Sequence, residues 1–183
     1  MSEKHITLPI SEEDIENVRA GDKVFISGEM LVARDAAHKR LYEALMSGEA
    51  LPVDVRGETV YYMGPSPARE GRVIGSAGPT TSTRMDKYTP ALLCAGLKAM
   101  IGKGRRSEAV KSAMKENHAV YFAAVGGCGA LLSKCIVSSE VLCYDDLGTE
   151  AIRRIRVENF PCIAAVDCKG NDLYAAKEKT DDE

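Results

Sequence analysis

The chain is 183 residues long, 45% of its residues are hydrophobic and 28% are charged, and its formal net charge is −3. A charge this close to neutral argues against non-specific nucleic-acid binding, which requires a strongly basic surface. The N-terminus is polar and acidic, unlike a signal peptide, and no apolar run is long enough to span a membrane, so we expect a cytoplasmic protein.

The chain length suits one hydrophobic core, and we predict a single domain over residues 1–183. It begins with a helical region at about 1–22, in which Ser11 and Asp14 form a capping start, and it ends in a frayed acidic tail at about 177–183. Between these margins, strand and helix patterns alternate along the chain. That alternation predicts an α/β layered domain.

The predicted elements follow from apolar spacing and from turn residues. In the first half we predict a helix ending at Gly21, a strand at 23–26, a helix at 34–46, a hairpin at 53–62 about Arg56-Gly57-Glu58, and a strand at 72–74. In the second half we predict a helix at 85–99, a strand at 100–101, a helix at 107–116, a strand at 119–125, a short helix at 130–134, strands at 135–144 and 162–166, and a last hairpin turned by Lys169-Gly170-Asn171.

The chain contains six cysteines, and their spacing predicts neither a disulfide framework nor a metal site. There is no CxxC pair, and no set of cysteines and histidines has metal-ligand spacing. Four of them lie in apolar surroundings, where a thiol behaves as a small buried hydrophobe: Cys94, Cys128, Cys135 and Cys162. We therefore predict packing thiols and no metal ligand in this chain.

The most informative segment is GSAGPTTSTRMD at residues 75–86. Two glycines and Pro79 predict a tight bend, which is followed by four consecutive hydroxyl residues, by Arg84 and by a predicted helix start. Such a bend brings free backbone N–H groups, a positive helix end and a guanidinium to one small volume. The pattern predicts an oxyanion site for a carboxylate or a phosphate.

Two further segments carry isolated cations. Arg34 stands at a predicted helix start with His38 one turn later, where the arginine could clamp a carboxylate while His38 or Asp35 orients it. Lys103 lies between two glycines, and it is free to reach a ligand. The simpler interpretations are a solvated helix start and a surface turn. Because Arg34, Arg84 and Lys103 each follow a predicted strand, we expect them at the sheet edge that binds ligands in open α/β folds, where they suit a small dianion.

Five motifs together resemble a known family. ARDAAHKR, GPTTSTRMD and MIGKG, followed by VGGCGALL and NFPCIAAVDCKGNDLY, resemble the β-subunit or C-terminal domain of iron–sulfur (class I) fumarases and L-tartrate dehydratases. These stretches cover most of the chain from about residue 24 to residue 174. GPTTxxRMD is the specific string, and the other motifs support it.

The resemblance implies a three-layer swivelling β/β/α domain, similar to the mobile domain of aconitase. It also implies half of a hydro-lyase that hydrates fumarate reversibly to (S)-malate. The partner α-subunit would hold a 4Fe–4S cluster through three cysteines, and the open iron would act as a Lewis acid on the leaving hydroxyl.

The resemblance also implies roles for particular residues. Arg34, Arg84 and Lys103 would bind the substrate carboxylates, with His38 as a further substrate-binding candidate. Thr80 would handle a proton or orient substrate, with Thr81 beside it. A threonine is a poor base at its ordinary pKa, so an α-subunit carboxylate is the alternative base.

Two alternative functions remain open. An L-tartrate dehydratase β-subunit would need one more polar contact for the second hydroxyl of its substrate. A stand-alone anion-binding module of the same fold would bind a dicarboxylate or phosphate without any partner. The isolated chain could also form a homodimer, and that would not identify the working assembly.

Overall fold

A mixed sheet organises the protein, for which a computed structural model describes residues 2–68, 70–124 and 127–178. Its strands are Glu3–Thr7 (β1), Lys23–Val32 (β2), Thr59–Tyr61 (β3), Ala99–Gly102 (β4), Val120–Ala123 (β5), Ile136–Cys143 (β6) and Ile152–Val166 (β7). The α-helices are Glu12–Asn17 (α1), Asp35–Ser47 (α2), Thr89–Cys94 (α3), Glu108–Glu116 (α4), Gly129–Leu132 (α5) and Leu173–Glu178 (α6). Short 3₁₀ turns lie at Ser82–Met85, Ser133–Cys135 and Asp145–Glu150.

The strand order is β1-β2-β3-β4-β5-β7-β6. The pairs from β1 to β5 are parallel, whereas β7 is antiparallel to β2, β5 and β6. The long strand β7 also pairs with β2, so the pairings β2–β3–β4–β5–β7 return to β2 and close a ring. The predicted α/β class is therefore confirmed as a mixed α/β fold.

The short parallel strands bury both of their faces, because successive side chains point to opposite sides of a strand. Tyr61, Ile101 and Phe122 belong to one core, which also contains Ile6 and Ile26. Their neighbours along the strands belong to a second core, together with apolar residues of α2, α3 and α4: Val60, Met100, Tyr121, Leu41, Leu92 and Val110. Helices thus cover one face of the parallel strands. No helix among the described residues is long and apolar enough to cross a membrane.

Several predicted elements are confirmed with small shifts at their ends. The helix predicted at 34–46 is α2, and Gly48 ends it in the left-handed region with φ 70°. The helix predicted at 107–116 is α4, and the Ser107 side chain caps it by accepting a hydrogen bond from the Val110 amide. Ser11 likewise caps α1 through the Asp14 amide. Local capping chemistry was sufficient for these predictions.

Other predictions are wrong, and strand pairing explains most of them. The hairpin predicted at 53–62 is absent, because β3 lies parallel between β2 and β4 and both of its edges are occupied. Residues 72–74 form no strand. The helix predicted at 85–99 is limited to α3, which begins with Pro90 in its first turn and stops before Gly96, whose φ is 106°.

The ends of the chain also differ from the prediction. The N-terminal region contains β1 in addition to α1, and β1 was missed because only Ile6 of this edge strand is buried. The turn at 169–171 is confirmed, since Val166 and Asp172 form an antiparallel bridge across it, but α6 follows at once and the second arm is no longer than this bridge. α6 extends to Glu178, so the predicted tail at 177–183 begins within a helix, and residues 179–183 lie outside the described part of the chain.

Candidate functional site

Two of the three predicted cations follow strand ends on one edge of the sheet. Arg34 comes two residues after β2 ends at Val32, and Lys103 comes directly after β4. Because β2, β3 and β4 are parallel neighbours, their carboxyl ends lie at the same edge. Arg84 differs from the prediction: residues 72–74, predicted as the strand before it, form none, and Arg84 lies in the 3₁₀ turn Ser82–Met85.

The hydroxyl-rich bend is hydrogen-bonded between the ends of β3 and β4. The Thr80 amide donates to the Tyr62 carbonyl at 2.7 Å, and the Lys103 amide donates to the Thr80 carbonyl at 3.3 Å. The Ser82 amide returns a hydrogen bond to the Lys103 carbonyl at 2.9 Å, and Thr81 pairs with Lys103 in a parallel bridge. The backbone of Thr80 and Thr81 is thus held beside that of Lys103.

Arg84 approaches Arg34 through the start of α2. The Arg84 Nη2 forms an ion pair with Oδ2 of Asp35, the residue that follows Arg34 in the chain. The Arg34 Nε lies 3.8 Å from the Glu150 Oε1. The Arg84 side chain is 52% exposed and that of Arg34 only 22%, so Arg84 is the more accessible of the two to solvent. The structure therefore brings Arg34, Arg84, Lys103 and the two threonines into one neighbourhood.

The Arg34 side chain occupies a space that only glycine leaves open. A Cβ added at Gly64 would lie 2.3 Å from the Arg34 Nη1 and 2.8 Å from its Cδ. The Arg34 Nε is buried and has no hydrogen-bond partner in the described part of the protein. Buried polar groups in native proteins are nearly always paired, so this donor is available for a ligand or a partner group.

His38 is buried and lies behind Arg34. The residue is 1% exposed, and its ring packs edge-on against Tyr62 with centroids 5.2 Å apart. Its Nδ1 lies 2.8 Å from the Arg34 carbonyl oxygen. Burial lowers the pKa of His38 to about 4, so the ring is neutral at pH 7. The Arg34 carbonyl oxygen can only accept a hydrogen bond, so the Nδ1 of His38 carries the proton. This position supports the backbone of Arg34 instead of presenting the ring to solvent.

Sequence reasoning missed a buried ion pair under the site. Arg106 is 4% exposed, and its Nε donates to Asp86 Oδ1 at 2.7 Å. The other oxygen of Asp86 accepts from the Ser107 amide at 2.7 Å. Asp86 lies in the motif GPTTSTRMD, but no local pattern indicates that Arg106 is buried, because an arginine after a glycine turn resembles a surface residue.

A glycine segment after β5 packs on the bend. The Ala77 amide donates to the Gly129 carbonyl at 3.1 Å, and a Cβ at Gly129 would lie 2.4 Å from Ser76 Oγ. Residues 125 and 126 lie outside the described residues; both belong to the motif VGGCGALL, and residue 125 is also the end of the predicted strand 119–125. The glycine motif therefore has a packing role in the part of it that is described.

The cysteines do not form a metal centre within the described ranges. No group of three or more His, Cys, Asp or Glu side chains there could hold a metal ion, and the cysteines are free thiols at separate places. Cys162 and Cys168 are buried, and Cys128 and Cys135 pack against the first core, as expected of packing thiols. Cys94 is exposed, so its predicted burial is wrong. These residues do not fit an iron–sulfur cluster.

A separate cleft of about 630 Å³ lies between residues 65–68 and the pair β6–β7. None of the predicted site residues lines it. The cations and threonines occupy instead an open surface at the strand ends. The fold and this surface define an α/β domain that presents three basic side chains and two hydroxyls from separate segments.

Comparison with known proteins identifies the family. The family model described as Fumarase C-terminus matches residues 2–177, so the chain belongs to this family. It is 41% identical to the aerobic class I fumarate hydratase of Escherichia coli K12, over 83% of this chain and 28% of that protein. The sequence resemblance to class I fumarases is thereby confirmed.

Two further relatives differ in how much of their length is matched. Identity is 40% to fumarate hydratase 2 of Leishmania major, over 85% of this chain and 28% of that protein. It is 34% to the putative L(+)-tartrate dehydratase subunit beta of Methanocaldococcus jannaschii, over 90% of this chain and 88% of that one. The chain thus spans about a quarter of the fumarate hydratases that it matches and most of a relative named as a subunit.

Proposed function

We propose that this chain is the β-subunit of a hydro-lyase that hydrates fumarate reversibly to (S)-malate. The observation that carries the proposal is the grouping of Arg34, Arg84 and Lys103 with Thr80 and Thr81, within a chain of the Fumarase C-terminus family. Two arginine forks suit carboxylates, which they bind through paired hydrogen bonds.

The proposal includes a partner that supplies the rest of the site. The fumarate hydratases of Escherichia coli and Leishmania major are more than three times as long as their matched part, and another relative is named as a subunit beta. We assign the 4Fe–4S cluster to the partner, an α-subunit, because no three metal-ligating side chains converge in the part of this chain that is described. The domain would then move as a swivelling β/β/α unit against the partner, similar to the mobile domain of aconitase.

The basic side chains would act mainly on the transition state. Loss of a proton next to a carboxylate places extra negative charge on the carboxylate oxygens. Cations aimed at those oxygens stabilise this state more than the ground state, which raises the rate. Arg34 is held rigidly against Gly64, whereas Lys103 is exposed at the end of β4. Arg34 would therefore hold the substrate in place, and Lys103 would stabilise the negative charge that develops in the transition state.

Arg84 can exchange its present partner for a substrate. Its side chain is half exposed and pairs with Asp35. Exposed ion pairs contribute only about 0–1 kcal/mol, so a dicarboxylate that displaces Asp35 loses little. Asp35 would then keep the guanidinium oriented until the substrate arrives.

Thr80 is the residue of this chain that we propose for proton handling or substrate orientation, with Thr81 beside it. Both backbones are tied to Lys103 or Tyr62. A hydroxyl needs nearby cations or a partner base to work at neutral pH, because its ordinary pKa is high. A carboxylate of the α-subunit is the base that we favour. His38 would position Arg34 without touching the substrate.

Anaerobic co-expression with a cysteine-bearing α-subunit tests the proposal. We expect co-purification, a brown complex and fumarate-dependent loss of absorbance. A complex carrying Lys103→Gln should co-purify with the same colour and lose activity, which separates assembly from catalysis. Tight dicarboxylate or phosphate binding by the isolated chain, with no activity in the complex, would contradict the proposal and favour a stand-alone anion-binding module.

L-tartrate dehydratase is the second candidate, and one observation favours it. The relative matched over 88% of its own length is named as a putative subunit of that enzyme. Assaying the same complex with L-tartrate and with fumarate separates the two functions. If kcat/KM is higher for L-tartrate than for fumarate, L-tartrate is the preferred substrate and the tartrate dehydratase function replaces the first proposal.

A further inference from the structure

Arg106 is a buried cation beneath the candidate site. Its side chain is 0% exposed, and Nη1 and Nη2 donate to the Tyr62 hydroxyl at 3.2 Å and the Thr89 hydroxyl at 2.8 Å. Its guanidinium carbon lies 5.3 Å from the Tyr62 ring centroid and 5.0 Å from that of Tyr121. A buried guanidinium with this many partners is stable only in one geometry.

The first connection runs from Arg106 to Arg84. Asp86, which accepts from Arg106, lies two residues after Arg84, and its amide donates to the Thr83 carbonyl at 3.2 Å. The Thr89 hydroxyl that Arg106 contacts donates in turn to the Met85 carbonyl at 2.9 Å. The C-terminal side of the 3₁₀ turn is therefore anchored to one guanidinium through two residues, Asp86 and Thr89.

The second connection runs to Lys103, three residues before Arg106. The Tyr121 ring packs under the guanidinium, and its hydroxyl donates to the Gly104 carbonyl at 2.9 Å. The same hydroxyl lies 2.8 Å from Ser82 Oγ. In addition to their backbone hydrogen bonds, the turn that carries Arg84 and the segment that carries Lys103 are thus joined through two side chains, Asp86 and Tyr121.

The third connection runs to Arg34. The Tyr62 ring, which contacts Arg106 by its hydroxyl and its face, also packs edge-on against His38. The His38 Nδ1 donates to the Arg34 carbonyl at 2.8 Å. Three segments that are distant in sequence therefore meet at one buried side chain.

We propose that Arg106 is a positioning residue that holds Arg34, Arg84 and Lys103 in their relative places. It acts through Asp86, Tyr121 and Tyr62 and never touches the substrate. The inference deepens the proposed function and rests on it, since the geometry that Arg106 holds matters for catalysis only if these cations bind the substrate.

Arg106→Lys tests the proposal, because it keeps the charge and removes the planar fork that reaches Asp86, Thr89 and Tyr62 together. Arg154→Lys is the matched control: Arg154 also pairs with carboxylates, Glu29 and Glu58, and lies outside the candidate site. Tyr62→Phe removes one hydroxyl only, and it provides a milder second variant if Arg106→Lys does not fold.

The first measurement is amide hydrogen exchange on the full chain without partner. In Arg106→Lys we expect about tenfold faster exchange at the amides of Thr80, Ser82 and Lys103, whose hydrogen bonds hold the bend. Tyr62→Phe should give a smaller change in the same direction, and Arg154→Lys none. Unchanged exchange in both site variants would overturn the proposal whether or not the chain is a hydro-lyase.

The second measurement is steady-state kinetics of the complex with the α-subunit. We expect kcat/KM for fumarate to fall about 10- to 100-fold in Arg106→Lys, because misplaced cations bind the transition state poorly. Arg154→Lys should leave it unchanged. Wild-type kcat/KM in Arg106→Lys would overturn the positioning role. An inactive wild-type complex would instead refute the proposed function, and hydrogen exchange would still decide the role of Arg106.

Discussion

At the scale of single residues, the two arginines of the candidate site differ in how they are held. Arg34 lies in a space left by Gly64, and its buried Nε is 3.8 Å from Glu150 Oε1 without a hydrogen-bond partner among the described residues, whereas Arg84 is exposed and paired with Asp35. The confined Arg34 suits the carboxylate that binds first and stays fixed. Arg84, which can exchange Asp35 for a ligand, suits the carboxylate that binds last. Their substitution should therefore affect binding and catalysis more than stability.

Arg84→Lys should reduce transition-state stabilisation by about 2–4 kcal/mol, because a lysine cannot form paired charge-assisted hydrogen bonds to a carboxylate. The free energy of unfolding should hardly change, since the side chain is half exposed. The measurement is kcat/KM of the complex with the proposed α-subunit.

Arg40→Lys is the matched control for this substitution, because Arg40 pairs with Asp146 on the surface of the same region. It should leave kcat/KM unchanged. If Arg84→Lys retains wild-type turnover and affinity, the assignment of Arg84 as a carboxylate clamp is wrong.

His38 should make the protein less stable as the pH falls. Its folded-state pKa of about 4 lies below the ordinary 6.5, so between these values the unfolded chain binds more protons, and stability is lost as the pH falls through this window. From pH 7 to pH 5 the loss attributable to His38 is about 2 kcal/mol.

Urea unfolding of wild type and of His38→Gln at the two pH values measures this contribution. The glutamine variant should lose about 2 kcal/mol less than the wild type over that range. His5→Gln, at an exposed histidine, should behave as the wild type does. An equal pH dependence in wild type and His38→Gln would contradict the buried neutral ring.

At the scale of elements, the bend at 80–84 works as a short connector between strand ends. It accepts and donates backbone hydrogen bonds to Tyr62 and Lys103 without forming a strand of its own. The sequence motif predicted the turn, the hydroxyls and the nearby cation. The motif did not predict this pairing, because the hydrogen-bond partners are about twenty residues away on either side.

The cap of α4 offers a stability test near the site. Ser107→Ala removes the hydroxyl that accepts from the Val110 amide, and should lower the free energy of unfolding by about 1 kcal/mol. Ser112→Ala, at an exposed position inside the same helix, should be neutral or slightly stabilising, because alanine has the higher helix propensity. Equal effects in chemical denaturation would show that the cap contributes nothing.

At the scale of the whole molecule, β7 closes the sheet by joining a strand of the first fifth of the chain, β2, to strands of the second half. β7 pairs with β2, β5 and β6, and its 15 residues supply both cores. Cys162 and Cys168 lie on and just after this strand and are buried, whereas Cys94 on α3 is exposed.

Thiol labelling should follow this arrangement. Burial raises the pKa of the Cys162 thiol, and together with steric protection this makes it unreactive in the folded protein. Under native conditions a maleimide should label Cys94 first, and Cys162 and Cys168 only when the whole domain unfolds. Mass spectrometry of time points provides the measurement, and rapid native labelling of Cys162 would contradict the buried position.

The sequence by itself determined the features that depend on neighbours along the chain. The caps at Ser11 and Ser107, the stop at Gly48 and the chemistry of GPTTSTRMD follow from contacts within a few residues, and the family resemblance rests on the same strings. Local patterns were also enough for the α/β class, because alternating helices and strands have few ways to pack.

Only the tertiary structure decided which strand ends meet and what lies beneath them. Residues 59–61 form a parallel strand rather than a hairpin arm because β2 and β4, about thirty to forty residues away in sequence, occupy its two edges. Arg106 is buried because Asp86, Tyr62 and Tyr121 converge on it from three segments. Such placements depend on pairing free energies between distant segments, which no local pattern of residues contains.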